Sequence, residues 1–209
     1  MDKDVVIFFI PLVVLSAISY VVFRETGWLF FGFLWILLLV LAGFMLFFFR
    51  DPFRETPEDD RLVVAPADGR VVKVKQSDSV GSSVSIFLSP LDVHINRTPV
   101  SGKVVDIRKK NGLYLPAYKI AAESKNKAIE TDIETPYGIV TVRQVVGVLA
   151  RRLVNRLEIG DEVVLGQRIG LMRFGSRIDV YLPENVKLEA SLSAKVRAGS
   201  DVIGRFVDG

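Results

Sequence analysis

The chain has 209 residues, half of them hydrophobic, with a formal net charge of +3 and no cysteine. This length allows one sizeable domain with an appendage, and the lack of cysteine excludes a disulfide framework. The basic excess is modest, and no basic patch is interleaved with aromatic residues. These features exclude a typical nucleic-acid partner and favour attraction to an anionic lipid surface.

Two long uncharged segments occupy the N-terminal quarter of the chain. Residues 5–23 and 29–49 are each about 20 residues long, the length of a helix that crosses a hydrocarbon core. The intervening RETGW (24–28) predicts a tight turn, so we expect a helical hairpin over residues 1–49 with Trp28 at the membrane interface. A cleaved signal peptide is the alternative, but no A-x-A-like site follows the first segment. A re-entrant hairpin that does not cross the bilayer stays open.

The distribution of basic residues predicts the orientation of this hairpin. Lys3 precedes the first apolar segment and Arg50 and Arg54 follow the second, whereas the turn contains only Arg24. Positive charge is retained on the cytoplasmic side of a membrane. We therefore expect a cell-membrane protein whose soluble domain lies on the cytoplasmic side.

The sequence changes character after the second apolar segment. A polar linker, RDPFRETPEDDR (residues 50–61), leads into residues 62–209, where short β-branched runs alternate with glycine turns. Runs of this length between turn signals are typical of an all-β sandwich or barrel. Only residues 115–127 (LPAYKIAAESKNK) predict a helix or a long loop.

Two internal repeats support the β prediction. PADGRVVKV (66–74) and PVSGKVVDI (99–107) match nearly position for position, and IGDEVVLGQRIG (159–170) and AGSDVIGRF (198–206) form a looser pair. Glycine turns that feed short strands resemble the barrel-sandwich arrangement of lipoyl and biotinyl domains, but neither pair carries the lysine that such carriers modify. We expect a mainly β, barrel-sandwich-like domain.

The chain contains a single histidine, His94, within LSPLDVHINRTPVSGKV (88–104). It is the only side chain expected to titrate near pH 7 without help from its surroundings. Strand alternation places Asp92, His94 and Asn96 on one face. A lone histidine with few carboxylates nearby is a poor metal site, so we expect no metal.

Asp68 and Ser176 complete the set of candidate reactive residues. Each fits an ordinary turn, because the Asp-Gly of APADGRVV and the Gly-Ser of RFGSRIDVYLP are common turn dipeptides. No Gly-x-Ser-x-Gly elbow supports a standard hydrolase. Together with His94, however, they provide a carboxylate, a base and a hydroxyl, a set that is recognised by geometry rather than by sequence order.

Three motifs occur in order behind the hairpin: APADGRVV (65–72), SPLDVHINRTPVSGKV (89–104) and FGSRIDVYLP (174–183). With these motifs the whole chain resembles the short form of the phosphatidylserine decarboxylase family, which includes archaeal members thought to act on archaetidylserine. The resemblance implies a pyruvoyl-dependent decarboxylase of a serine phospholipid headgroup, which works on a lipid substrate that stays in the membrane.

The resemblance also implies that the chain is a proenzyme that cuts itself between Gly175 and Ser176. Ser176 would attack the Gly175 carbonyl, and elimination from the resulting ester would leave a pyruvoyl group in place of Ser176. The products would be a β chain (1–175) and an α chain (176–209), which remain together as a heterodimer. The pyruvoyl ketone would condense with the substrate amine and withdraw electrons as CO₂ leaves.

The same resemblance suggests roles for the remaining residues. Asp68 matches the acidic residue that supports self-cleavage, and His94 matches a histidine assigned to decarboxylation. Larger members carry a second histidine three residues later, for maturation, where this chain has Arg97. Either His94 serves both steps, which we favour, or maturation relies on Asp68 and backbone strain. Arg97 suits a headgroup phosphate or carboxylate. ESKNKA (123–128) departs from the Asn-Glu-Arg that relatives often have, and only Asn126 matches that motif.

Two other functions compete with this interpretation. A membrane-anchored serine hydrolase would use Ser176, His94 and Asp68 in an intact chain. A non-catalytic β-barrel adaptor would have Asp68 and Ser176 merely in turns. The sequence does not separate ester-linked from ether-linked lipids, and it leaves a homo-oligomer open.

Overall fold

The computed structural model describes residues 5–77, 81–117, 122–147, 153–172 and 175–207. Within it the chain divides into two compact units, Met1–Pro52 and Phe53–Gly209.

The first unit is a helical hairpin made of α1 (Val6–Thr26) and α2 (Leu29–Phe48). Gly27 ends α1 in the left-handed region at φ 68°, a conformation that glycine adopts at little cost. Tyr20 and Trp35 pack across the hairpin with ring centroids 5.0 Å apart. Both helices, with a mean hydropathy of 2.7, are long and apolar enough to cross a membrane. The predicted apolar hairpin is confirmed.

The second unit consists mainly of strands. In chain order they are β1 (Leu62–Val64), β2 (Gly69–Lys75), β3 (Ser82–Leu88), β4 (Ile95–Arg97), β5 (Gly102–Lys110), β6 (Ala128–Thr135), β7 (Gly138–Val145), β8 (Leu153–Asn155), β9 (Glu162–Val163), β10 (Arg168–Met172), β11 (Ser176–Leu182), β12 (Val186–Leu188), β13 (Lys195–Val196) and β14 (Val202–Phe206). A short helix, α3 (Ala122–Lys125), lies in the segment predicted as helix or long loop. The mainly β fold is therefore confirmed.

Antiparallel pairing joins these strands into one large sheet and two small ones. The large sheet has the order β13-β2-β3-β11-β7-β6-β5-β9, and the small sheets are β1-β14-β12 and β4-β10-β8. Strand β11 is internal, between β3 and β7. Its alternate residues Ile178 and Val180 are fully buried in the core with Ile86 and Val142 of the neighbouring strands, which defines the inner face of the sheet.

The first internal repeat corresponds to strands β2 and β5, each of which begins at a glycine. A Cβ at Gly69 would lie 2.2 Å from the carbonyl oxygen of Phe87, and a Cβ at Gly102 would lie 2.2 Å from that of Glu134. Neither position has room for a side chain. Each strand also carries a register shift at the same point of the repeat. The sequence repeat is thus a structural repeat.

Reciprocal hydrogen bonds relate the two halves of the domain, one of which contains β2 and β13 and the other β5 and β9. The Val64 N–H donates to the Pro99 carbonyl at 2.9 Å, and at the equivalent positions of the repeat the Arg97 N–H donates to the Pro66 carbonyl at 2.9 Å. Strands β13 and β9 pair with the two repeat strands at matching positions, Val196 opposite Gly69 and Val163 opposite Gly102. Each half thus donates the equivalent hydrogen bond to the other, and the two halves are related by approximate two-fold symmetry.

The same symmetry gives the register of the second, looser repeat. The Gly166 N–H donates to the Thr98 carbonyl, and the Gly199 N–H donates to the equivalent Ala65 carbonyl. Both glycines are left-handed, with φ of 74° and 75°. Gly199 therefore corresponds to Gly166.

Candidate active site

Ser176 is the first residue of β11 and lies opposite Leu88 of β3. Because side chains alternate along a strand, it faces the same interior as Ile178. The side chain is 0% exposed, and its Oγ has no hydrogen-bond partner within the described part of the chain. Burying a hydroxyl in this way is costly and unusual for a turn residue. Gly175 precedes it in the left-handed region, at φ 66°.

Asp68 immediately precedes β2 and lies at the same end of the large sheet as Ser176. Arg70 of β2 and Arg177 of β11 both lie opposite Phe87 of β3, so one strand separates Asp68 from Ser176. Two interstrand spacings correspond to about 10 Å between their backbones.

The Asp68 carboxylate has two partners in the described structure. Its Oδ2 accepts a hydrogen bond from Arg54 Nη2 at 2.6 Å, and its Oδ1 accepts one from the Ala198 N–H at 2.8 Å. Burial nevertheless raises the pKa of Asp68 above its ordinary value, although both partners act to lower it, and the nearby Asp92 raises it further. A carboxyl group with a raised pKa is suited to act as a base, and here it lies one strand away from the buried Ser176 hydroxyl.

His94 lies on the connection that follows β3 and is 2% exposed. Its Nδ1 is 2.8 Å from the Asp92 carbonyl oxygen. Because a carbonyl only accepts, Nδ1 carries the proton, and Nε2 is the basic nitrogen of the neutral ring. The His94 carbonyl accepts the Met172 N–H at 3.2 Å, which ties this segment to the strand just before Gly175.

The structure brings the three predicted reactive residues to one end of the domain. Strand register joins Asp68 and Ser176 through β3, and β10 joins the His94 segment to the start of β11. The oxygens of Asp68 are engaged by Arg54 and Ala198, so its connection to Ser176 runs through the sheet rather than through a direct hydrogen bond.

Arg97 lies on β4, away from His94 by strand alternation. Its Nη1 donates to the Gly166 carbonyl at 3.0 Å, and its Cδ would lie 2.7 Å from a Cβ at Gly199. These contacts anchor the side chain between the two equivalent left-handed glycines. A role for Arg97 in binding the headgroup stays a prediction.

Asn126 is buried and connects two loops. Its Nδ2 donates to the Leu115 carbonyl at 2.7 Å and to the Val146 carbonyl at 2.8 Å. Its Oδ1 accepts the Leu115 N–H at 2.9 Å. Asn126 thereby fixes the chain where it leaves β7, next to β11.

Sequence reasoning missed two residues of this region. Arg54 is the partner of Asp68, but in the linker nothing distinguishes it from the other arginines. Gln144 lies opposite Ile178 on the inner face, and its Nε2 donates to Asn96 Oδ1 at 2.8 Å. A polar residue at an inward position of the apolar run IVTVRQVVGV was the available signal.

Comparison with known proteins agrees with the motifs. A family model described as phosphatidylserine decarboxylase matches residues 41–204. A putative archaetidylserine decarboxylase proenzyme of Methanococcoides burtonii is 37% identical over 203 residues, which cover 97% of this chain and 95% of the relative. A phosphatidylserine decarboxylase proenzyme of Geotalea uraniireducens is 45% identical over 172 residues, 79% of this chain and 81% of the relative. The chain belongs to the phosphatidylserine decarboxylase family of enzymes.

Proposed function

We propose that this protein is a pyruvoyl-dependent decarboxylase of a serine phospholipid headgroup that matures by cutting itself between Gly175 and Ser176. The substrate is phosphatidylserine or archaetidylserine, and the product is the corresponding ethanolamine lipid. The observation that carries the proposal is the completely buried Ser176 Oγ, which has no hydrogen-bond partner in the described chain and directly follows a left-handed glycine.

Maturation begins with the Ser176 hydroxyl. Its oxygen bonds to the Gly175 carbonyl carbon, its proton leaves to a base, and the amide C–N bond breaks as the nitrogen takes up a proton. A base then takes the Cα proton of residue 176 as the Cβ–O bond of the ester breaks, so that Gly175 leaves as a carboxylate and dehydroalanine remains at position 176. Addition of one water and release of ammonia convert it to the pyruvoyl group. The φ of 66° at Gly175 favours glycine before the cut.

Asp68 and His94 supply the proton transfers in this proposal. The raised pKa of Asp68, caused mainly by burial, makes its carboxylate a stronger base. The basic Nε2 of His94 is the second acceptor, since Nδ1 is held by the Asp92 carbonyl. As the chain has one histidine, we assign His94 to both maturation and decarboxylation.

The mature site is formed around position 176. A pyruvoyl group there supplies a ketone that takes up the substrate amine and withdraws electrons as CO₂ leaves. His94 returns the proton to the carbon that lost CO₂. Arg97, which faces away from His94 and bonds the Gly166 carbonyl, would have to leave that contact to hold the headgroup phosphate or carboxylate. The buried start of β11, next to Leu88, keeps water away from this position.

The proposal extends to the assembly and its location. The α chain would begin with β11, whose pairing with β3 and β7 of the β chain keeps the two products together as a heterodimer. The two apolar helices anchor the domain to the cell membrane, on its cytoplasmic side. The lipid substrate then stays in the bilayer and presents only its headgroup.

Intact mass spectrometry of the full chain purified in detergent tests the proposal. We expect two fragments that meet at Gly175 and Ser176, the shorter one lighter than a serine-initiated fragment by the mass of one ammonia. Ser176→Ala should remain a single chain. An intact wild-type chain labelled by a serine-reactive phosphonate would indicate a hydrolase instead, and an intact unlabelled chain would favour the adaptor.

The His94→Ala variant in the same assay examines the shared role of the histidine. We expect loss of both cleavage and CO₂ release. Cleavage at the wild-type rate would restrict His94 to decarboxylation, and normal CO₂ release would remove it from both steps.

A further inference from the structure

Gly147 lies beside the bond that the proposed maturation breaks. Strand β7 pairs with β11 as far as Val145 opposite Arg177, and two residues further along β7 the same register brings Gly147 level with Gly175. A Cβ on Gly147 would lie 1.8 Å from the Gly175 carbonyl oxygen and 3.0 Å from its carbonyl carbon. The Gly175 oxygen therefore occupies the space that a side chain at position 147 would fill.

The two glycines meet different requirements. A Cβ on Gly175 would find nothing within 4 Å, so this position has space, and only its φ of 66° disfavours other residues. Gly147 is restricted by space alone. Glycine within a β-branched run, as in VVGV, marks the close approach of another backbone.

Asn126 fixes the backbone next to Gly147. It donates to the carbonyl of Val146, the residue before Gly147, and the Val146 N–H donates to the Lys127 carbonyl at 3.1 Å. Because both the N–H and the carbonyl of Val146 are hydrogen-bonded, the chain is kept from moving away from Gly175. The slot beside the Gly175 carbonyl is thus rigid.

We propose that Gly147 is a positioning residue for self-cleavage, an inference that rests on the proposed function and adds a residue to it. The Gly175 carbonyl oxygen lodges against the Gly147 Cα, which fixes the direction from which Ser176 Oγ reaches the carbonyl carbon. As the O–C bond forms, negative charge develops on the lodged oxygen, and the Gly147 C–H group contributes a weak hydrogen bond to it. The charge returns to re-form the carbonyl when the C–N bond breaks.

Gly147→Ala tests the inference by filling the slot. Since an error of about 1 Å in the position of reacting atoms costs about 100-fold in rate, we expect the rate of appearance of the two fragments to fall by about that factor. Gly102→Ala is the matched control, because its Cβ would also meet a backbone carbonyl, Glu134 at 2.2 Å, in the other half of the domain. The Gly102→Ala variant should have a lower melting temperature than the wild type, yet it should cleave itself at nearly the wild-type rate.

A second measurement separates positioning from general damage. After cleavage Gly175 is a chain end, so the decarboxylation rate per cleaved chain should be unchanged in the fraction of Gly147→Ala that matures. Cleavage of Gly147→Ala at the wild-type rate would overturn the inference, as would an equal fall in decarboxylation per cleaved chain. If Gly147→Ala does not fold, Asn126→Ala loosens the slot without filling it, and wild-type cleavage of that variant would overturn the inference.

The failures of the two proposals are distinguishable. A wild-type chain that is never cut would overturn the proposed function together with this inference. A wild-type chain that is cut, with an equally well cut Gly147→Ala, would overturn the inference alone.

Discussion

The two halves of the β domain place different residues at equivalent points. Asp68 and Ser101 each precede the glycine that begins a repeat strand. The Asp68 Oδ1 accepts the Ala198 N–H at 2.8 Å, and the Ser101 Oγ accepts the Leu165 N–H at 2.9 Å. Both side chains thus fix the same turn in their own half. This turn requires an oxygen acceptor but not a charge.

What distinguishes the halves is the second oxygen of the aspartate. It pairs with Arg54, and burial raises the pKa of the carboxyl group. Within the described residues, the Ser101 hydroxyl donates to Asp60 at 3.5 Å. In the proposed function, Asp68, which immediately precedes β2, supplies an ionisable group that the equivalent Ser101 lacks. Position 68 thus has a structural role that Ser101 shares, acceptance of a backbone N–H, and a proposed chemical role of its own.

Asp68→Ser should have the largest effect on the cleavage rate, because it gives position 68 the same residue as the equivalent Ser101. Serine can still accept the Ala198 N–H, so the fold should persist, but the base is lost. General-base catalysis contributes about 100-fold or more, so we expect at least that fall in the cleavage rate measured by mass spectrometry. Ser101→Ala is the control and should leave cleavage unchanged. Normal cleavage of Asp68→Ser would show that position 68 has only the structural role.

Arg54→Gln should have a smaller effect that depends on pH. The Arg54 charge lowers the pKa of Asp68 against the effect of burial, so its removal raises that pKa further. Because the base acts when ionised, the acidic limb of the pH profile of cleavage should move to higher pH, and the rates of the variant and the wild type should converge in alkali.

Arg54→Lys is the control for this prediction, since it keeps the positive charge and should keep the acidic limb near that of the wild type. An acidic limb that stays in place in Arg54→Gln would show that Arg54 does not tune Asp68.

Arg108→Gln should have the smallest effect, confined to stability, because β5 belongs to the half without the reactive residue. Arg108 donates two hydrogen bonds to Asp132, at 2.6 and 2.9 Å. Burial acts to raise the pKa of Asp132, but bonds from Arg108 and Thr141 outweigh it and hold that pKa below its ordinary value. A lowered pKa stabilises the fold above the ordinary carboxyl range, and this stabilisation disappears as the pH falls through the folded-state pKa.

Denaturant unfolding at several pH values measures this effect. At neutral pH the variant should lose at most about 1 kcal/mol, because Arg108 is partly exposed to solvent. The difference from the wild type should shrink in acid, and Lys109→Gln on the same strand should show none. A loss that grows as the pH falls, or a loss of cleavage, would contradict the assignment.

Much of this architecture could be read from local patterns. Uncharged segments of membrane-spanning length predicted the hairpin, and glycine-separated β-branched runs predicted the strands. The repeat 66–74 and 99–107 predicted two equivalent strands, because the same glycine is required wherever a strand starts against a neighbouring carbonyl. The looser repeat, 159–170 and 198–206, left its register open, since its short strands are aligned by hydrogen bonds to distant segments rather than by their own residues.

The sequence by itself therefore determined the apolar helical hairpin, the β class and the identity of Asp68, His94 and Ser176 as candidates, since each depends on composition, spacing or a short motif. The tertiary structure decided that Ser176 Oγ is buried, that Arg54 pairs with Asp68 and that Gly147 receives the Gly175 carbonyl. These contacts join strands and loops far apart in the chain. Their geometry depends on strand register, which forms only when the whole sheet assembles.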